Sequence, residues 1–194
     1  MLGSIGKVVW VLGIVAWYVI RLRFERKAKR AQVVAHSRST VERVGLFAGT
    51  LGLGAMPGLY AAAGFPRWAD YPPRPWALVF GAAVYGMALW LFWRSHKDLG
   101  RNWSITLEIR EQHRLVSNGI YRLIRHPMYA AFWLMAAGQA LLLPNWFAGP
   151  AGLVGFAVLF FLRVKKEEAM MLQTFGDEYR TYMARTKRII PHLY

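Results

Sequence analysis

The residues able to do chemistry in this chain of 194 sit in three short stretches of its second half. The first holds His113-Arg114-Leu115-Val116 and Gly119-Ile120-Tyr121, and the second Arg125-His126-Pro127-Met128-Tyr129. Some forty positions on comes Arg163-Val164-Lys165-Lys166-Glu167-Glu168. Carboxylates and aromatic faces suit cations, imidazole suits hydrogen-bond acceptors, and a guanidinium suits a carboxylate. Each piece alone has a plainer explanation. Pro127 fits the first turn of a helix, Arg125 and Arg163 could anchor helix ends to lipid phosphates, and Tyr121 and Tyr129 could be interfacial aromatics. Glu167 and Glu168 could be a solvated face beside two lysines. A composite site exists only if the intervening elements bring these stretches together.

Those elements are hydrophobic. With 56% of residues apolar and 18% charged, a soluble globule would have too few polar side chains to cover its surface. The absence of cysteine removes thiol nucleophiles, thiolate zinc sites and iron–sulfur clusters, and no metal centre is expected. The net charge of +15 is not spread evenly: 22 of the 25 Lys and Arg fall in Arg21–Arg43, Arg94–Arg125 and Arg163–Tyr194. Nearly uncharged segments separate them, as in a membrane protein with its basic loops on the cytoplasmic side. Anionic lipid headgroups are a sufficient partner for that charge, so no nucleic acid is expected.

The uncharged stretches set the spans. Val44–Pro66 has 23 residues without a charge and Trp76–Trp93 has 18, each about enough for a helix across ~30 Å of hydrocarbon. Met1–Ile20 forms another if Lys7 snorkels. Its basic cluster Arg21, Arg23, Arg26 and Lys27 follows the apolar run, which favours an anchor with the N-terminus outside over a signal peptide. Pro127–Leu162, with 36 uncharged residues, is too long for one crossing and folds as a helical hairpin turning at Pro144-Asn145. The expected fold is therefore all-α and polytopic, with about five transmembrane helices, a C-terminal hairpin and a cytoplasmic helical tail. All three basic segments then share one side, and the hairpin brings Arg125–Tyr129 to Arg163–Glu168.

Local signals mark boundaries. Ser39-x-x-Glu42 reads as a capping box, and Pro72, Pro73 and Pro75 interrupt the chain before the third helix. Gly100 is a stop for that helix, and Gly176-Asp177 ends one helix and caps another. Gly54-x-x-x-Gly58 reads as a helix-packing motif. The expected organisation is 1–98, the first three helices with their basic loop, and 99–194, the region carrying the site.

Gly100-Arg101-Asn102-Trp103-Ser104, the His113–Tyr129 pattern, Arg163-x-x-x-Glu167-Glu168 and Phe175-Gly176-Asp177-Glu178-Tyr179-x-x-Tyr182 together resemble the isoprenylcysteine carboxyl methyltransferase family. That family belongs to a wider group of integral membrane methyltransferases that includes phospholipid N-methyltransferases. The resemblance covers roughly Leu99–Tyr182. It implies an enzyme that moves a methyl group from S-adenosyl-L-methionine, leaving S-adenosyl-L-homocysteine, to a lipophilic acceptor at the cytoplasmic membrane face. By the same resemblance His113, Arg114, Leu115, Val116, Tyr121, His126, Pro127, Met128, Tyr129 and Glu167 would bind the cofactor, with Glu108 a further contact. Arg163, one helical turn before Glu167, would hold the acceptor, so Arg163 and Glu167 are the expected catalytic pair. No G-x-G-x-x-G follows a strand pattern, so a Rossmann-type cofactor site is not expected.

The reaction depends on the acceptor. A carboxylate is ionised near neutral pH and needs only to be held by Arg163. An amine must first lose a proton, giving Glu167 or Glu168 a base role, and phosphatidylethanolamine-type N-methylation is the alternative. Transport is disfavoured because the apolar runs lack ionisable groups.

Overall fold

The computed structural model describes residues 1–28, 40–100 and 115–194, and these residues are helical apart from turns and two isolated β-bridges. The helices are α1 (Leu2–Ala28), α2 (Thr40–Thr50), α3 (Met56–Ala63), α4 (Pro75–Leu99), α5 (Pro127–Leu142), α6 (Ala151–Phe175) and α7 (Asp177–Arg185). Three stretches, Leu2–Arg26, Thr40–Ala63 and Pro75–Leu99, are long and apolar enough to cross a membrane. The hairpin forms as expected but its arms are unequal. α5 has 16 residues, a rise of about 24 Å, short of a ~30 Å hydrocarbon layer. α6 has 25, and its second half is charged.

Residues Thr40–Ala63 make one rod with a single π-helical turn, Leu51–Ala55, between α2 and α3. Pro57 explains the turn: it has no N–H to return to Leu53, and the ladder slips so that the Met56 N–H bonds Leu51 O, five residues back. Before the slip, one face of the rod is glycine and packs on α6. A Cβ on Gly52 would lie 2.2 Å from Ala151 O, and one on Gly155 2.3 Å from Ala48 O. Only glycines let two backbones approach this closely. Gly54 and Gly58 have nothing within 4 Å, so the expected packing motif is corrected to Gly45, Gly49 and Gly52.

The main core joins α1, α4 and α5 through Trp10, Tyr85, Ala88, Phe92, Ala131 and Met135. A buried amide ties the layers. Gln139 Nε2 donates to Gly52 O, Ala148 O and Gly149 O at 2.9–3.2 Å, while Trp10 Nε1 donates to its Oε1. In an apolar surround such satisfaction is what makes a polar residue tolerable. The hairpin turn is pinned likewise: Asn145 donates to Pro66 O and Asp70 Oδ1 and accepts from the Phe147 and Ala148 N–H groups. Large apolar side chains face outward instead, among them Leu12, Phe47, Val79, Phe80, Val154 and Phe161, as lipid-facing surfaces require.

The ends behave as the glycines predict. α4 stops at Gly100 and α6 at Gly176, with φ of 58° and 52°, conformations that cost a Cβ-bearing residue. Asp177 supplies no side-chain cap to α7 and pairs with Arg180 instead. Ser39 of the expected capping box lies outside the described residues, while Glu42, in the first turn of α2, is buried. The tail folds back: Tyr182 of α7 donates to Tyr121 O at 2.6 Å, and the Arg125 and His126 N–H groups bond Lys187 O and Arg188 O at 2.7 and 2.8 Å.

Candidate active site

The start of α5 and the charged half of α6 meet at one end of the hairpin. Pro127 occupies the first turn of α5 and is buried there. The ring of His126, just before it, stacks on Tyr129 with centroids 5.3 Å apart and planes 18° from parallel. Tyr129 Oη donates to Glu167 Oε2 at 2.5 Å, and His126 Nδ1 lies 3.9 Å from Glu167 Oε1. Arg163, one turn earlier on α6, places Nε 3.7 Å from Glu167 Oε2.

Adjacent residues on α6 point about 100° apart, and the two acids accordingly do different things. The Glu167 side chain is 29% exposed, that of Glu168 6%. Glu168 accepts from Arg125 Nε and Nη2 at 3.1 and 3.0 Å, and from Arg188 Nε and Nη2 at distances down to 2.7 Å. His126 Nε2 adds a contact at 3.3 Å. Burial alone would raise the Glu168 carboxyl, but the hydrogen bonds from His126, Arg188 and Arg125 outweigh it and hold the group well below the usual carboxylate range. A carboxylate so held is a poor proton acceptor, which leaves Glu167 as the carboxylate of the pair able to face a ligand. Arg125 is fixed further by the Met183 and Thr186 carbonyls.

The Gly119–Arg122 turn forms the adjoining wall. Gly119 has a φ of 58°, and a Cβ there would fall 2.2 Å from Asp98 Oδ2. That carboxylate accepts from the Ile120 N–H at 2.8 Å and from Arg94 Nε at 3.0 Å, tying the turn to the end of α4. Tyr121 is buried, and burial and then the Glu167 charge push its hydroxyl above the ordinary tyrosine value. Tyr182 is raised to about 12, chiefly by burial. Neither phenol supplies a proton-transfer group near neutral pH.

Of the expected site residues, Tyr121, His126, Tyr129, Arg163 and Glu167 gather here. Leu115 and Val116 are half-buried in the irregular segment leading to the turn. Met128 packs toward the α1–α4–α5 core. His113, Arg114 and Glu108 lie outside the described residues. Three neighbours were missed: Glu42 of α2, whose Oε1 lies 3.7 Å from Arg163 Nη1; Arg188; and Asp98. Asp98 lies in the last turn of α4, just before the expected stop at Gly100; nothing local in the sequence marks any of the three as part of a site.

Residues 79–173 match the model of the isoprenylcysteine carboxyl methyltransferase (ICMT) family. That match takes in just under half of the chain. That region begins within α4 and takes in the Gly119 turn, α5 and most of α6. A probable protein-S-isoprenylcysteine O-methyltransferase of Oryza sativa subsp. indica is 33% identical over 93 residues, 46% of this chain and 47% of the relative. Protein-S-isoprenylcysteine O-methyltransferase A of Arabidopsis thaliana is 38% identical over 82 residues, 40% of each chain. The chain thus spans about half the length, or less, of the curated relatives it matches. A solved structure of the eukaryotic intramembrane Ras methyltransferase ICMT superposes with a TM-score of 0.55 at 22% identity, covering 82% of this chain and 55% of that one. This last likeness establishes the ICMT-like fold.

Proposed function

We propose that this chain is an S-adenosyl-L-methionine-dependent integral membrane methyltransferase of the protein-S-isoprenylcysteine carboxyl O-methyltransferase type, acting on a lipophilic carboxylate at the cytoplasmic face. The observation that carries the reading is the meeting of α5 and α6: stacked His126 and Tyr129 with a part-exposed Glu167 and, one turn away, Arg163. The ICMT-family region covering these residues supports it.

The residues fit the cofactor's chemistry. A sulfonium and an ammonium call for a carboxylate and aromatic faces, and Glu167, Tyr129 and His126 supply both. Tyr121 feels the Glu167 charge and adjoins the same space, and Pro127 and Met128 stand at the α5 start that presents it; His113, Arg114, Leu115 and Val116 complete the proposed cofactor-binding set. The cofactor brings an electrophilic methyl group; the protein brings position and dryness. Arg163 would hold the acceptor carboxylate, and the acceleration would come from alignment and exclusion of water. No base is required, consistent with Glu168 being committed to two arginines.

Five crossings with the N-terminus outside place Arg21–Arg43, Arg94–Arg125 and Arg163–Tyr194 together on the cytoplasmic side, and the bilayer is the partner through which the acceptor arrives. Methyl transfer from labelled cofactor, with a farnesylcysteine analogue and phosphatidylethanolamine offered side by side to the purified chain, tests the assignment. Methylation of the farnesylcysteine carboxylate is expected. Methylation of the amine alone would move the chain to the N-methyltransferase branch, and labelling of neither would overturn the reading.

A further inference from the structure

Arg163 is a largely enclosed cation between acids from two different helices. Its Nη1 lies 3.7 Å from Glu42 Oε1 and its Nε 3.7 Å from Glu167 Oε2, with the Arg163 and Glu42 side chains 13% and 5% exposed. Glu42 lies outside residues 79–173, the ICMT-family region. It reaches the site because α2 rides on α6 along Gly45, Gly49 and Gly52, with Leu159 and Gly155 opposite. Among the described residues the trio Glu42, Arg163 and Glu167 carries a net charge of −1.

Glu167 is also the carboxylate a cationic cofactor would claim. At neutral pH the methyl donor has a sulfonium, an ammonium and a carboxylate, hence one net positive charge; its demethylated product has none. When Glu167 turns to the donor, Arg163 needs a second carboxylate, because an uncompensated buried guanidinium is strongly unfavourable.

We propose that Glu42 is a charge-compensating positioning residue of the methyl-donor site: it holds Arg163, leaves Glu167 to the donor, and biases the pocket toward the charged donor over its neutral product. The inference rests on the methyltransferase reading and gives α2 a part in it. With Glu42 neutralised, the trio becomes neutral and the donor's extra charge is no longer matched, while the product is little affected.

The test is the pair of dissociation constants for S-adenosylmethionine and S-adenosylhomocysteine, measured by calorimetry on the full chain in detergent. Glu42→Gln is expected to weaken the donor about tenfold and the product no more than about twofold. Glu42→Asp, which keeps the charge, is expected to retain the wild-type ratio, and it carries the test alone if Glu42→Gln does not fold. Equal weakening of both ligands by Glu42→Gln would mark a purely structural residue and overturn the proposal, as would unchanged binding of both or a ratio in Glu42→Asp that falls to unity. Wild-type protein that binds neither ligand would refute the methyltransferase reading itself, a result distinct from the others.

Discussion

Glu168→Gln separates the supporting acid from the ligand-facing one. The substitution keeps the volume and removes the charge that Arg125, Arg188 and His126 share. Breaking a buried pair from one side costs about 3–5 kcal/mol because the partner stays charged and unmatched. Arg125, with 8% of its side chain exposed, pays that penalty; Arg188, at 26%, can turn to water. One stranded cation rather than two puts the loss near the lower end, about 3 kcal/mol, or about 6–12 °C of melting temperature for a chain this long. The pH dependence follows from the depressed carboxyl. Its contribution is complete above the unfolded value of about 4.3 and is lost only as pH falls through the lower folded value. Wild-type protein should therefore keep this contribution from pH 7 to about 4.5 and lose it below, whereas Glu168→Gln lacks it throughout, so the two melting curves converge in acid. Thermal unfolding in detergent across that range is the assay. A variant melting within about 1 °C of wild type at pH 7, or a gap that persists undiminished well below pH 3, would refute the assignment of Glu168 as the buried hub.

Glu167→Ala should abolish cofactor binding by calorimetry while lowering the melting temperature less than Glu168→Gln does, since its side chain is 29% exposed; tight binding in the variant would remove Glu167 from the contact set. Arg163→Ala should lower turnover of a carboxylate acceptor by at least about a hundredfold with cofactor affinity changed far less, and the opposite split in steady-state and binding measurements would contradict its acceptor role. Gly119→Ala should cost about 1–3 kcal/mol, from the left-handed backbone and the clash with Asp98, and should weaken binding of S-adenosylhomocysteine by distorting the Tyr121 turn; an unchanged melt and affinity would show that the turn relaxes freely. Gly52→Val should push α2 off α6 and lower the donor-to-product affinity ratio as Glu42→Gln does, and a preserved ratio in a folded variant would uncouple that interface from the site.

The hairpin, the glycine stops and the meeting of His126–Tyr129 with Arg163–Glu168 were legible because each follows from local signals: apolar run length, backbone freedom, and a turn between two arms. Long-range partners were not. Glu42 lies about 120 positions from Arg163, and its place depends on which face of a featureless apolar rod meets α6. The packing face was misread for a related reason. Gly54 lies two residues beyond Gly52, about 200° further round the helix, so it and Gly58 one turn later face away from α6, and they lack the partner that Gly45, Gly49 and Gly52 have. Arg188 was hidden because its stretch reads as a polar tail; only its backbone pairing beside Arg125 and His126 brings its side chain to Glu168. The separate roles of Glu167 and Glu168 were equally invisible, since adjacency in sequence says nothing about which acid is enclosed.

The pairing of residues 187–188 with 125–126 also orders events during biosynthesis. Synthesis runs from the N-terminus, so every apolar helix has left the ribosome and met the bilayer before Arg188 emerges. Until then Glu168 lacks one of its two guanidiniums and the Arg125 and His126 amides lack their carbonyls. Completion of this end of the hairpin is thus a late step, and a chain released short of residue 187 would lack both these backbone bonds and the Arg188–Glu168 pair.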